Sequence, residues 1–247
     1  MQRKNLGQNF LKKEYTAKDL VKAAHLTRED VVIEVGAGTG TVTKELSKTV
    51  DRVIAIEFDK NLIPALKDSL KDLTNVKIIC EDALAFFKSS PEFGYKVVGS
   101  IPYQITSPLL HKLFTLDKPP QSIALIIQYE VAKKITAKVP RATYLSNLTS
   151  LFGNAKFIKR VKKENFHPKP KVESAIIHIE KRRKSVENFA EWVSFLHRGF
   201  SHPRKMLKTI FGEDILKKAG VDYCKRAQEL TLEEWVRIFK NFNNETT

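Results

Sequence analysis

An α/β fold with a mostly parallel sheet, followed by a small all-helical domain, is predicted by three observations. Short apolar runs alternate with amphipathic stretches from Val31 to Gln128. Strands separated by single helices imply right-handed crossovers and a parallel sheet covered on both faces. Beyond residue 181 the chain shows helical spacing and no further strand-like run.

Val31–Val35 is the first apolar run and reads as a buried strand, as do residues 53–56, 76–79, 95–98 and 123–127. Between them, residues 41–50, 60–71 and 108–114 carry apolar side chains at helical spacing. After Gln128 the rhythm changes. Residues 130–138 and 143–151 read as helices, and 156–161 and 172–179 as two more strands around a proline-containing loop. Two late strands in succession suggest an antiparallel addition at one sheet edge, which brings the sheet to seven strands. The basic run from Lys181 to Lys184 marks a boundary, giving domains 1–181 and 182–247. The second domain is expected to hold helices at 186–199, 203–210 and 232–239.

The charge balance is the unusual part of the composition. Lys+Arg 43 against Asp+Glu 28 gives +15 and a pI near 9.7, which points to a polyanionic partner, nucleic acid ahead of an acidic membrane surface. Cys80 and Cys224 are far apart and form no CxxC or Cys/His cluster, so neither a disulfide framework nor a metal site is indicated. The histidines show no HExxH spacing, no apolar stretch reaches membrane-spanning length, and the N-terminus lacks the apolar core of a secretion signal. A reducing, cytoplasmic compartment, a monomer and no membrane partner are expected.

Three glycines stand where the first strand meets a helix: Gly36, Gly38 and Gly40. The first permits a tight turn, and the second lets a ligand approach the backbone. A dinucleotide fingerprint would place its third glycine one residue later. Glu34, two residues before the first glycine, would also repel a pyrophosphate. A ligand with a positive group and no phosphate fits better, and S-adenosylmethionine has both properties. The second strand ends in Glu57, placed to accept from both ribose hydroxyls, and the third in Asp82-Ala83, where Asp82 can accept from an adenine amine. Taken singly, the glycines could make only a turn and the carboxylates only caps. The ordered set, all at carboxyl ends of parallel strands, favours a binding site.

The fourth strand delivers Ser100, Ile101, Pro102 and Tyr103 to the same edge. Pro102 fixes φ and lacks an N–H, so it stiffens the turn. Tyr103 offers a flat face to a base taken out of its helix. Ser100 and the Ile101 carbonyl can both accept protons from an exocyclic amine. That matters because an adenine N6 lone pair is conjugated with the ring and nucleophilic only when the nitrogen becomes tetrahedral.

In this order the motifs resemble the KsgA/Erm family of rRNA adenine N6-dimethyltransferases, almost end to end, and most of all its small-subunit (KsgA-type) branch. Gly7-Gln-Asn-Phe-Leu11 is similar to the family's opening segment, which implies that Gln8, Asn9 and Leu11 lie beside the cofactor. Glu34 to Gly40, Glu57, and Asp82-Ala83 match its cofactor motifs. Phe166-His-Pro-Lys-Pro-Lys-Val-Glu-Ser174 matches the segment whose Phe is expected to help hold the target adenine, while Phe166 on its own could equally plug the core. Three segments, starting at Gln128, Gly199 and Arg226, carry the likeness to the small-subunit branch. The family usually has Asn, a longer carbonyl acceptor, where this chain has Ser100; related amino-methyltransferases use Asp, Asn or Ser there.

The resemblance implies a class I S-adenosylmethionine-dependent methyltransferase, Rossmann-like, with S-adenosyl-L-methionine as cofactor. Its expected action is dimethylation of two adjacent adenosines near the 3′ end of small-subunit rRNA within an immature 30S-type particle. An Erm-type large-subunit enzyme, and a non-catalytic RNA-binding assembly or transcription factor, stay open as alternatives. Two basic runs supply the expected RNA contacts. Residues 156–171 carry seven Lys/Arg against one acid, with Lys162, Lys163, Lys169 and Lys171 singled out. Residues 198–208 carry Arg198, Arg204, Lys205 and Lys208 with no acid. Such contacts give salt-dependent affinity and orientation rather than sequence reading.

Overall fold

The computed structural model describes residues 8–182 and 189–246. Gly7, Arg183, Lys184 and residues 186–188 of the helix expected over 186–199 lie outside these residues. The elements run β1 (Phe10–Leu11), α1 (Glu14–Ala23), β2 (Val31–Val35), α2 (Thr41–Thr49), β3 (Arg52–Glu57), α3 (Ile63–Ser69), β4 (Val76–Cys80), α4 (Ala83–Phe86) and β5 (Lys96–Ser100). They continue as α5 (Thr106–Phe114), β6 (Ser122–Gln128), α6 (Tyr129–Ile135), α7 (Tyr144–Phe152), β7 (Gly153–Val161), β8 (Phe166–His167) and β9 (Ser174–Lys181). The last four are α8 (Phe189–Phe200), α9 (Lys208–Phe211), α10 (Glu213–Lys218) and α11 (Leu232–Thr246).

A seven-stranded sheet has the order β4-β3-β2-β5-β6-β9-β7. Its β2 pairs in parallel with β3 and β5, β3 with β4, and β5 with β6, while β9 runs antiparallel to β6. The β-branched runs form these central strands because both faces are covered, so consecutive apolar residues all find a core. Val32, Val53, Val98 and Ala124 pack with Leu20 of α1 and Leu46 of α2 in one cluster, and Leu66 and Leu70 cover Ala55 in a second. The strand order reverses beside β2, between β3 and β5. That switch point puts a crevice at the carboxyl ends of the strands.

Several expected boundaries move. The helix expected over 60–71 is shorter, Ile63–Ser69, with Pro64 in its first turn where no N–H is needed. The helix expected over 130–138 stops at Ile135. Of residues 203–210, only the part from Lys208 is helical. Leu207 N–H donates to the Lys225 carbonyl at 2.8 Å, and Met206 bridges Arg226, so the preceding chain is extended by pairing.

The chain divides into two compact units, Met1–Ala132 with Lys156–Lys181, and Lys133–Ala155 with Arg182–Thr247. The division differs from the expected contiguous one because residues 133–155 group with the helical unit. The reason is packing: α7 buries Leu148, Leu151 and Phe152 and lies against α8. The helical unit has its own aromatic core of Trp192, Phe195, Phe211, Trp235 and Phe239. No described helix is long and apolar enough to cross a membrane.

Candidate active site

A cavity of about 270 Å³ opens at the switch point of the first unit. Its floor is the turn after β2. Gly36 has φ +78° and Gly38 φ +56°, backbone that side chains resist. A Cβ on Gly36 would stand 3.2 Å from the Ser100 carbonyl oxygen, so the turn lies directly against the end of β5. Gly36 and Ala37 both donate to the Ile56 carbonyl, which fixes the turn to β3.

Glu57, at the end of β3, is 6% exposed and borders the cavity. Its Oε2 accepts from Gly38 N–H at 2.8 Å and its Oε1 from Asp59 N–H at 2.9 Å. Two backbone donors therefore hold the carboxylate in place before any ligand arrives. Asp82 borders the cavity while its Oδ1 caps α4 by accepting from Leu84 N–H at 2.8 Å, and Ala83 is buried beside it.

The wall opposite comes from the N-terminal segment. Gln8, Asn9, Phe10 and Leu11 all line the cavity. Gln8 Nε2 donates to Asp59 at 3.2 Å, and the Leu11 carbonyl accepts from Thr41 Oγ1 at 3.1 Å. Strand β1 pairs antiparallel with β8, Phe10 opposite His167 and Leu11 opposite Phe166. Asn165 secures this pair from behind: its carbonyl accepts from Lys12 N–H, its Oδ1 from Tyr15, and its Nδ2 donates to Thr16.

Ser100 and Pro102 line the cavity, and Ile101 and Tyr103 continue the same turn just beyond it. Tyr103 is half-buried, and its hydroxyl lies 2.8 Å from Ser174 Oγ. Burial raises its pKa, partly offset by that bond, so the phenol is neutral and its ring held in one orientation.

Two expected site residues are placed elsewhere. Glu34 does not line the cavity. It alternates onto the face of β2 shared with Val32, and is fully buried towards α2. Neither carboxyl oxygen makes a hydrogen bond of normal geometry, although the Thr43 hydroxyl and N–H stand close enough to act on its charge. Burial pushes its pKa from 4.5 to about 7; the nearby Thr43 hydroxyl and N–H offset part of this, and the charge of Glu57 adds to it. Phe166 is 5% exposed and packs with Leu11, Val161 and Ile176 in the core, so it supports the wall from behind rather than offering a stacking face. Residues that the sequence did not single out also line the cavity: Phe10, Phe58, Glu81 and Gln104. Phe58, 57% exposed, directly follows the Glu57 strand end, a position that could have revealed it.

The basic candidates sort by their partners. Lys162 and Lys171 are exposed and Lys163 half-buried, whereas Lys169 pairs with Glu164 at 2.6 Å. Arg198 lies over Phe242 and Phe211 and donates to the Ile210 carbonyl, so it also has a packing role. Lys208 approaches Glu213 and the Tyr223 ring. Arg204 and Lys205 are exposed and form no ion pair among the described residues.

A family model described as ribosomal RNA adenine dimethylase matches residues 1–244. The chain belongs to that family. It is therefore a member of a methyltransferase family, and the mostly parallel sheet agrees. The ribosomal RNA small subunit methyltransferase A of Thermotoga maritima is 40% identical, over 97% of this chain and 85% of its own length. Among solved structures, a dimethyladenosine transferase from Plasmodium falciparum has a TM-score of 0.84 at 26% identity, covering 96% of this chain and 98% of that one. The 23S rRNA methyltransferase ErmE has a TM-score of 0.75 at 26% identity, covering 95% of this chain and 100% of its own.

Proposed function

We propose that the protein uses S-adenosyl-L-methionine to dimethylate N6 of two adjacent adenosines near the 3′ end of small-subunit rRNA, in an immature 30S-type particle in the cytoplasm. One observation carries the reading: a cavity that abuts the Ser100–Pro102 turn holds Glu57, Glu81 and Asp82, and no lysine, arginine or histidine among the described residues lining it. In a chain of net charge +15, that local acidity suits a cationic ligand without phosphate. The apolar lining of Val35, Ile56, Phe58 and Ile105 suits an adenine ring.

Bound there, S-adenosylmethionine supplies an electrophilic methyl group. Glu57 accepts from the ribose hydroxyls with an oxygen geometry already set by Gly38 and Asp59. Ser100 Oγ and the Ile101 carbonyl accept from the target amine, favouring a tetrahedral nitrogen whose lone pair points at the methyl carbon. Tyr103 holds the flipped base by stacking, with Ser174 fixing the ring. The basic residues, with Arg204 and Lys205 the most available, contact phosphates.

The branch follows from sequence rather than fold, since both kinds of rRNA enzyme share the architecture while the 40% identical relative is a small-subunit enzyme. Methyl transfer from labelled cofactor to separate immature 30S and 50S particles tests it. Transfer to 30S-derived RNA is expected; transfer to 50S-derived RNA alone refutes the reading, as does binding with no transfer at all.

A further inference from the structure

Along the carboxyl edge of the sheet, away from the cofactor cavity, Tyr103 is followed by a second group of flat side chains. Its hydroxyl bonds Ser174, and Ser174 sits opposite Gln128 at the β6–β9 pairing. The next residue, Tyr129, donates its N–H to the Glu173 carbonyl at 2.9 Å. Above the Tyr129 ring lies the Arg160 guanidinium, 4.9 Å from the ring centroid. The Glu173 carboxylate bonds Arg160 Nε, so the guanidinium is held by its edge as well as by one face. The Arg160 side chain is nevertheless 60% exposed. Phe157 stands edge-on to Tyr129, centroids 5.8 Å apart, and is itself 38% exposed.

We infer that Tyr129, Arg160 and Phe157 form a second base-stacking subsite, for an unpaired nucleotide of the RNA that flanks the methylated one. The inference rests on the proposed rRNA substrate and extends it. Unpaired RNA bases stack on aromatic rings and on guanidinium planes, and here the two are layered, with the outer guanidinium face and the Phe157 ring turned to solvent. Neighbouring strands are about 4.8 Å apart, so Tyr129, which follows β6, and Arg160 and Phe157, on β7 three strands from β5, lie roughly 5–15 Å along the sheet from Tyr103, within reach of RNA one or two nucleotides away. Charge complementarity selects the occupant. Lys156 and Lys162 are exposed on the same segment as Phe157 and Arg160, which contains no acid from 156 to 163, while Lys159 is paired with Asp19. An apolar protein partner would meet a ring set among cations rather than a contiguous apolar patch. Stacking accepts any base, so the subsite contributes affinity and placement without reading sequence.

The test compares Phe157→Ala and Arg160→Lys with wild type for binding to deproteinised small-subunit rRNA and to immature 30S particles. Both side chains are exposed, and thermal melts confirm that the variants fold. Arg160→Lys keeps the charge and removes the plane. Each variant is expected to weaken binding to both RNA forms about 5- to 150-fold, the range expected for one lost stack. The slope of affinity against salt stays as in wild type, because no phosphate-neutralising charge is lost. In methyl transfer the loss appears in KM for RNA, with kcat and cofactor affinity unchanged. Wild-type RNA affinity in both variants overturns the subsite. So does weakened binding to particles with unchanged binding to bare RNA, which would mean a protein docks there. A wild-type chain that neither binds nor methylates small-subunit rRNA fails the proposed function instead, and the subsite with it.

Discussion

Replacing Glu34 by Gln separates two roles that its place in the sequence leaves open. If Glu34 is the buried group described above, its folded pKa is about 7 against an ordinary 4.5. Between those values the folded protein keeps a proton that the unfolded chain has released. The stability from this group is therefore fully present below pH 4.5 and is lost as pH rises through 7. The interval corresponds to about 3 kcal/mol. Gln mimics the protonated carboxyl in shape and charge but does not titrate. Its own cost as a buried amide is a constant offset, so the slope is the readout. Urea unfolding at pH values from 4.5 to 8 should show the variant gaining about 3 kcal/mol on wild type across the range. His178, whose pKa burial lowers from 6.5 to about 4, acts oppositely: its share of stability is gained as pH rises from 4 to 6.5. It is common to both proteins and cancels in the difference. A pH-independent difference refutes the argument. A large loss of cofactor affinity in the variant would show that Glu34 is ionised and touches the ligand.

Glu57→Ala should weaken S-adenosylmethionine binding by about 2–4 kcal/mol, counting two charge-assisted bonds, while calorimetry with unchanged affinity would move the cofactor elsewhere. Single-turnover transfer should rank Ser100→Asn at or above wild type, then Ser100→Ala, then Tyr103→Ala, the last losing a stack worth about 1–3 kcal/mol. A Tyr103→Ala rate equal to wild type would remove the ring from base holding. Reversing charge at Arg204 and Lys205 should lower affinity for 30S particles and flatten its salt dependence without altering cofactor affinity. An unchanged slope would take the RNA-facing surface away from these residues.

The parallel strands were legible because buried β-branched runs such as Val31–Val35 look the same in sequence as in place. The ordered carboxyl-end residues were legible because open α/β sheets put their ligands at those ends. Glu34 was misplaced for a reason within the same rule. Its register puts it on a covered face of β2, and only the position of α2 shows what covers it. Phe166 and residues 133–155 failed similarly. A two-residue strand and a helix–helix contact depend on partners distant in the chain, which local periodicity does not report. Helix α1 is not among the elements expected from the sequence, although its Leu20 and Val21 lie on a buried side.

The clamp behind the N-terminal wall also constrains when the site can exist. Asn165 meets Tyr15 and Thr16 across 150 and 149 residues of chain. The five parallel strands and the glycine turn are complete once Gln128 has been made. The strand that pairs with Phe10 and Leu11, and the amide that fastens them, are synthesised later. A growing chain can thus pair its five parallel strands before the wall of the cavity can be fastened, and that fastening closes a long loop of chain. A ligand-binding signal at this cavity from a nascent chain would therefore report that synthesis has passed the β8 segment.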